Sequence, residues 1–244
     1  MFDAMDTVIS VLFVALGAAF ACLLPLIINK MPAKCFCDYN EAPNETHKPP
    51  RVGKGQIICS ALVLAAVFPL LISRFGLSVI GVSLCLLSVV LVMIALSDLK
   101  FCIIPDEFII AGCVFALIAG LCSVFSGSGW QGRLSPAFGA VIGAGVIFLI
   151  NLLGRLIYKK DALGMGDLKL MAVVGIACGT VGTVYAFLAG ILLAGIFFAV
   201  CILLKKTRRD SYLPLGPFLV LGALCVLCFQ PAMDMAIDWY ISLI

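Results

Sequence analysis

After Lys169 the chain runs to Leu204 without a single charged side chain. A helix rises about 1.5 Å per residue and the hydrocarbon core of a bilayer is about 30 Å thick, so an uncharged run much longer than about 20 residues exceeds one crossing. This one has to turn back on itself. Its weakest point is "CGTVGT", Cys178 to Thr183, where two glycines and two threonines interrupt the aliphatic sequence. Composition extends the argument to the whole chain: of 244 residues, 64% are hydrophobic and only 12% charged. A soluble domain sits near ~45–50% apolar and ~25% charged. The fold class expected is therefore all-α, a polytopic bundle of membrane-crossing helices.

The same length rule cuts the other apolar runs at their polar or glycine-rich points, "SRFGLS" around Arg74 and "SGSGWQGRLSP" around Arg133. Eight spans result, at roughly 7–28, 56–73, 78–97, 107–125, 136–157, 168–182, 184–204 and 212–229. The N-terminal stretch opens with Asp3 and Asp6 in place of a basic cluster, and its apolar run is longer than a signal peptide's, so it reads as an uncleaved first span. Residues 1–55 then form a first helix with a short loop, and 56–244 a seven-helix core. Of 12 cysteines, only Cys35, Cys37 and Cys102 fall in or beside polar connections. The others lie in apolar runs, where cysteine acts as a small hydrophobe.

Of 16 Lys and Arg, all but Arg74 and Arg133 fall on one set of connections. That asymmetry makes this set cytoplasmic and puts both termini on the outer side. "KKTRR", Lys205 to Arg209, reads as a topology anchor, so no nucleic-acid partner is expected.

With only 13 acidic residues, their placement is informative. Asp98 ends the third span in "IALSDLKFCIIPDEF" and Asp167 opens the sixth in "LGMGDLKL". The topology brings both to one depth at the cytoplasmic face. Asp106 and Glu107 follow Pro105 and precede an apolar helix, as helix-start residues do. Asp167 reads equally as a cap of its helix. Asp98 is harder to explain structurally, because a helix C-terminus disfavours an anion. Two carboxylates in a partly dry site can share one proton, one activating water while the other polarises a carbonyl. That chemistry needs no serine, cysteine, histidine or metal; the only histidine, His47, lies in the loop "NETHKPP".

These residues resemble the type IV prepilin peptidases, the bacterial leader peptidases. "SDLKFCIIPDEF" is similar to their first aspartate motif, "GMGDLKL" to their GxGD motif, "YLPLGPFLVLG" to the segment opening their last span, and "LPLIINKMP" to their first-loop sequence. The resemblance implies an intramembrane-type aspartic endopeptidase with Asp98 and Asp167 as its catalytic pair. Gly164, Gly166, Lys169, Pro105 and Asp106 would be supporting motif residues. It implies, as substrate, a prepilin or pseudopilin precursor with a basic leader and an apolar helix lying in the lipid bilayer, cut on the cytoplasmic side of a bacterial inner membrane. Full-length members also methylate the new N-terminus with S-adenosylmethionine, and many carry two Cys-x-x-Cys pairs in the first loop. Here that loop offers only "KCFC", Cys35 and Cys37, so a four-thiolate zinc site cannot be built. No metal and no cofactor are expected for proteolysis; S-adenosylmethionine is expected only if methyl transfer is retained. Two other readings stand beside this one: a transporter or proton-coupled channel using intramembrane carboxylates, and a non-catalytic scaffold whose aspartates are caps.

Overall fold

The computed structural model describes residues 4–31, 52–125, 130–159, 164–204 and 214–242. Seven helices run through them: α1 (Ala4–Ile28), α2 (Lys54–Phe75), α3 (Val79–Phe101), α4 (Asp106–Phe125), α5 (Trp130–Tyr158), α6 (Met165–Leu203) and α7 (Gly216–Ile241). All seven are long and apolar enough to cross a membrane, and the described residues contain no strand. The protein is a multi-pass membrane protein. The first-loop residues Cys35, Cys37, Asp38, Glu41, Glu45 and His47, and the basic run Lys205 to Arg209, lie outside the described residues.

Helix α3 is the centre. It is apolar on every side, the pattern of a helix with no solvent face, and from Leu84 to Asp98 nearly every residue is buried. Ser78 caps its start by accepting the Gly81 N–H on Oγ at 3.1 Å. Helices α2, α4 and α7 pack around it, α1 lies on α2, and α5 and α6 close the other side. The outer helices present large aliphatic side chains outward, among them Leu12, Leu62, Val141, Leu153, Leu192 and Ile196. Such a surface suits acyl chains. Inside hydrocarbon every polar group needs a partner. Buried Ser60 and Ser88 donate to carbonyls one turn back, Ile57 O and Cys85 O.

The sequence predicts eight helices, seven of them after residue 56; among the described residues there are seven and six. The difference lies in α6, whose 39 residues would reach about 58 Å if straight. They are not straight. Gly179, at φ 70° and ψ −174°, breaks the helix in a region open essentially to glycine alone. The path of the chain confirms a reversal. Gly182 packs on Val226 and Gly190 on Leu219, so the second arm descends alongside α7 toward the end where α6 began. Gly143 of α5 lies against both Met171 and Thr183, one from each arm. The turn therefore falls within "CGTVGT". Its freed backbone is paired by α5: Ser135 Oγ accepts the Thr180 N–H at 3.0 Å, and Ser135 O accepts from Thr180 Oγ1 at 3.2 Å.

Two other boundaries differ from expectation. Helix α5 starts at Trp130, inside the stretch that composition marks as a loop, and carries Pro136. Helix α7 does not stop near residue 229 but continues through Pro231 to Ile241. A proline leaves the carbonyl four residues earlier without its helical donor. Here that carbonyl is Leu227 O, and Arg74 Nη1 donates to it at 2.5 Å and to Val226 O at 3.3 Å. Arg74 thus repairs a helix break on a neighbouring helix.

Candidate active site

Helix α3 ends in a left-handed residue, Cys102 (φ 52°, ψ 29°), whose N–H donates to Asp98 O at 2.9 Å. Asp98 is thereby placed in the last turn, and its side chain is only 6% exposed. The dipole of its own helix opposes a charge there, but the start of α7 supplies what α3 cannot. Gly216 is the first residue of α7, and its N–H is one of the donors a helix leaves unpaired. It donates to Asp98 Oδ2 at 2.9 Å. A carboxylate at a helix N-terminus is favoured by the dipole as well as the hydrogen bond. The fit is close: a Cβ on residue 216 would stand 2.6 Å from Asp98 Oδ2.

Asp167 occupies the first turn of α6 and is 7% exposed. Gly164 is the N-cap residue, in extended conformation, and Gly164 O accepts the Asp167 N–H at 3.2 Å. The Asp167 side chain reaches back to the Gly164 backbone, the N3-to-N-cap half of a capping box. It does cap its helix, then, and it also lies close enough to Asp98 for the two charges to interact. Two buried carboxyl groups far apart in sequence thus share one end of the bundle, opposite Arg74.

The supporting motif residues hold the two aspartate-bearing segments together. The link 102–105 between α3 and α4 is fixed by buried Ser97, whose Oγ donates to Ile103 O at 2.8 Å. Ile104 packs on Gly166, where an added Cβ would meet it at 3.0 Å. Pro105 O accepts the Phe108 N–H at 3.2 Å, starting α4, so Asp106 is the first helical residue and not the cap. Its carboxylate has another partner: Lys169 Nζ lies 2.6 Å from Asp106 Oδ1. Sequence reasoning placed Asp106 and Lys169 in separate motifs, and the structure joins them. It also brings in two residues not singled out, Gly216 and Ser97. The glycine before a proline in "LPLGPFL" was the available signal for the first, and only its tertiary contact reveals the role.

The arrangement has an apolar side as well. A groove of about 320 Å³ lies at the same end of the bundle, lined by α2, α3 and α7 from Gly55 and Cys59 to Leu99 and Pro217. Among the described residues no three His, Cys, Asp or Glu side chains converge in a group that could hold a metal ion.

Residues 85–199 match the model of the type IV leader peptidase family. A prepilin leader peptidase/N-methyltransferase of Bacillus subtilis is 27% identical over 182 residues, 75% of this chain and 68% of the relative. One from Escherichia coli K12 is 36% identical over 87 residues, 36% of this chain and 38% of the relative. Leader peptidase HopD of Salmonella typhimurium is 36% identical over 92 residues, 37% of this chain and 59% of the relative. The match spans just over half the length of the Xanthomonas and Aeromonas relatives, 55% and 52%. No solved structure matches. Asp98, Asp167 and the residues that join them all lie within 85–199, the stretch that is similar to the type IV leader peptidase family.

Proposed function

We propose that this protein is a membrane aspartic endopeptidase that removes the leader of prepilins or pseudopilins at the cytoplasmic face of a bacterial inner membrane. The observation that carries the reading is the placement of two buried carboxylates, Asp98 and Asp167, at one end of the bundle. A pair at the bundle end, and not midway along it, favours a peptidase over a proton-coupled transporter.

With one proton between the two carboxyl groups, the ionised one takes a proton from water as that water's oxygen bonds to the scissile carbonyl carbon. The protonated one gives its proton to the carbonyl oxygen. The resulting diol collapses as a carboxyl proton passes to the nitrogen, a diol hydroxyl returns its proton to the other carboxylate, and the C–N bond breaks. Water supplies all the atoms added, and the pair regains its single proton. The Gly216 N–H and the first turn of α6 orient the two carboxyl groups. The positive-inside asymmetry places the basic leader and the scissile bond on the same side, with both termini of the enzyme outside. The substrate's apolar stem lies in the bilayer. Methylation with S-adenosylmethionine is a second, separable activity, read from the mature pilin N-terminus as the added mass of one methyl group.

Co-expression with a prepilin tests the reading. Wild-type enzyme should shift the prepilin to its mature mobility. Asp98→Asn and Asp167→Asn should insert normally and process nothing, because an amide cannot exchange the proton. Substantial processing by either variant would sink the assignment.

A further inference from the structure

Lys169 and Asp106 form an ion pair that a stability argument does not explain. Their side chains are 34% and 46% exposed, and pairs this accessible add little to folding. Their position says more. Consecutive residues in a helix are separated by about 100°, so Lys169 and Asp167 point about 200° apart from the first turns of α6. Fixing the direction of one fixes the direction of the other. Asp106, for its part, is tied to Asp98. Only the short link 102–105 separates α3 from α4, and it is braced by Cys102 N–H on Asp98 O and by Ser97 Oγ on Ile103 O.

The contacts thus make a chain that runs from Asp98 through the braced link, Asp106, Lys169 and the first turn of α6 to Asp167. Ile104 against Gly166 braces the middle of that chain. We infer that Lys169 and Asp106 are positioning residues, which set the rotation of the first turn of α6 and so aim the Asp167 carboxyl group at Asp98. The inference rests on the proposed peptidase reading and deepens it. Neither residue touches the reacting atoms; both act through Asp167.

The test uses full-length enzyme reconstituted in vesicles with a purified prepilin, measuring kcat, KM and the melting temperature separately. Misaiming the carboxyl group by a fraction of an ångström should lower kcat about tenfold in Lys169→Met and in the near-isosteric Asp106→Asn. KM and melting temperature should stay near wild type, because substrate docking and bulk packing are untouched. The double variant Lys169→Met/Asp106→Asn should lose little more than either single, since each single already removes the contact the two share. The reversed pair, Asp106→Lys/Lys169→Asp, should recover most of the lost kcat. Losses that add in the double variant, or that fall on KM or melting temperature with kcat unchanged, would overturn the inference while leaving the peptidase reading intact. Failure of wild-type enzyme to cut prepilin at all would instead overturn the reading on which it rests.

Discussion

Replacing Gly216 by alanine separates catalysis from stability more sharply than replacing an aspartate. The new Cβ would stand 2.6 Å from Asp98 Oδ2 and 3.1 Å from its Cγ. Relaxing the first contact to ordinary van der Waals distance takes a movement of roughly 0.8 Å. The move falls on the carboxyl group, because Gly216 lies on a helix that packs along buried α3. A misplacement of about 1 Å costs on the order of a hundredfold in rate, so a loss of roughly 10- to 100-fold in kcat is expected, about 1.4–2.7 kcal/mol of barrier. Stability should hardly fall, since alanine is favoured over glycine in a helix by up to about 1 kcal/mol and offsets the crowding. The assay is prepilin cleavage under saturating substrate with enzyme in vesicles, alongside a thermal melt of the same sample. A kcat within about twofold of wild type would refute the argument that the start of α7 holds Asp98 in place.

Gly179→Ala should destabilise the bundle by about 1–3 kcal/mol in backbone strain alone, and its Cβ would press on Ser135 Oγ; an unchanged melting temperature would count against the turn. Arg74→Met strands the Leu227 carbonyl and should cost roughly 1–3 kcal/mol. Pro231→Ala returns a helical donor to that carbonyl and should shrink the cost, and equal losses in both backgrounds would contradict the repair. Because the proposed chemistry runs on two carboxyl groups, cleavage should survive EDTA and the paired changes Cys35→Ser and Cys37→Ser. Activity lost to chelation and restored by zinc would overturn a metal-free mechanism.

What the sequence made legible was set by strong, local physics. The length limit on an uncharged helix located the reversal in α6 at "CGTVGT" before any contact was known, because an unbroken run to Leu204 has no other way to stay in a bilayer. The same depth argument put Asp98 and Asp167 at one end. Boundaries decided by partners were not legible. Gln230 and Pro231 look like the end of a span, and only Arg74, distant in sequence, shows why α7 continues. The stretch after Trp130 has the composition of a loop, yet it is helical. The anion at the end of α3 is anomalous in the sequence alone; its partner is the Gly216 N–H, and no periodicity reports such a contact. Asp106 read as a helix start because its tie to Lys169 crosses between motifs.

The arm of α6 from Met165 to Cys178 rises only about 21 Å, short of the ~30 Å thickness of an average bilayer core. Asp167 at one end of this arm and the Gly179 turn at the other cannot both reach water unless the membrane thins around them. The turn is equipped to stay submerged, since Ser135, Thr180 and Thr183 pair its polar groups internally. Lipid chain length then becomes a control on this protein. In thinner membranes the carboxyl groups rise toward the headgroups and hydrate easily, and in thicker ones they sink. Mismatch costs fractions of a kcal/mol per ångström, so the lipid a cell makes at its growth temperature would set how readily water enters this site.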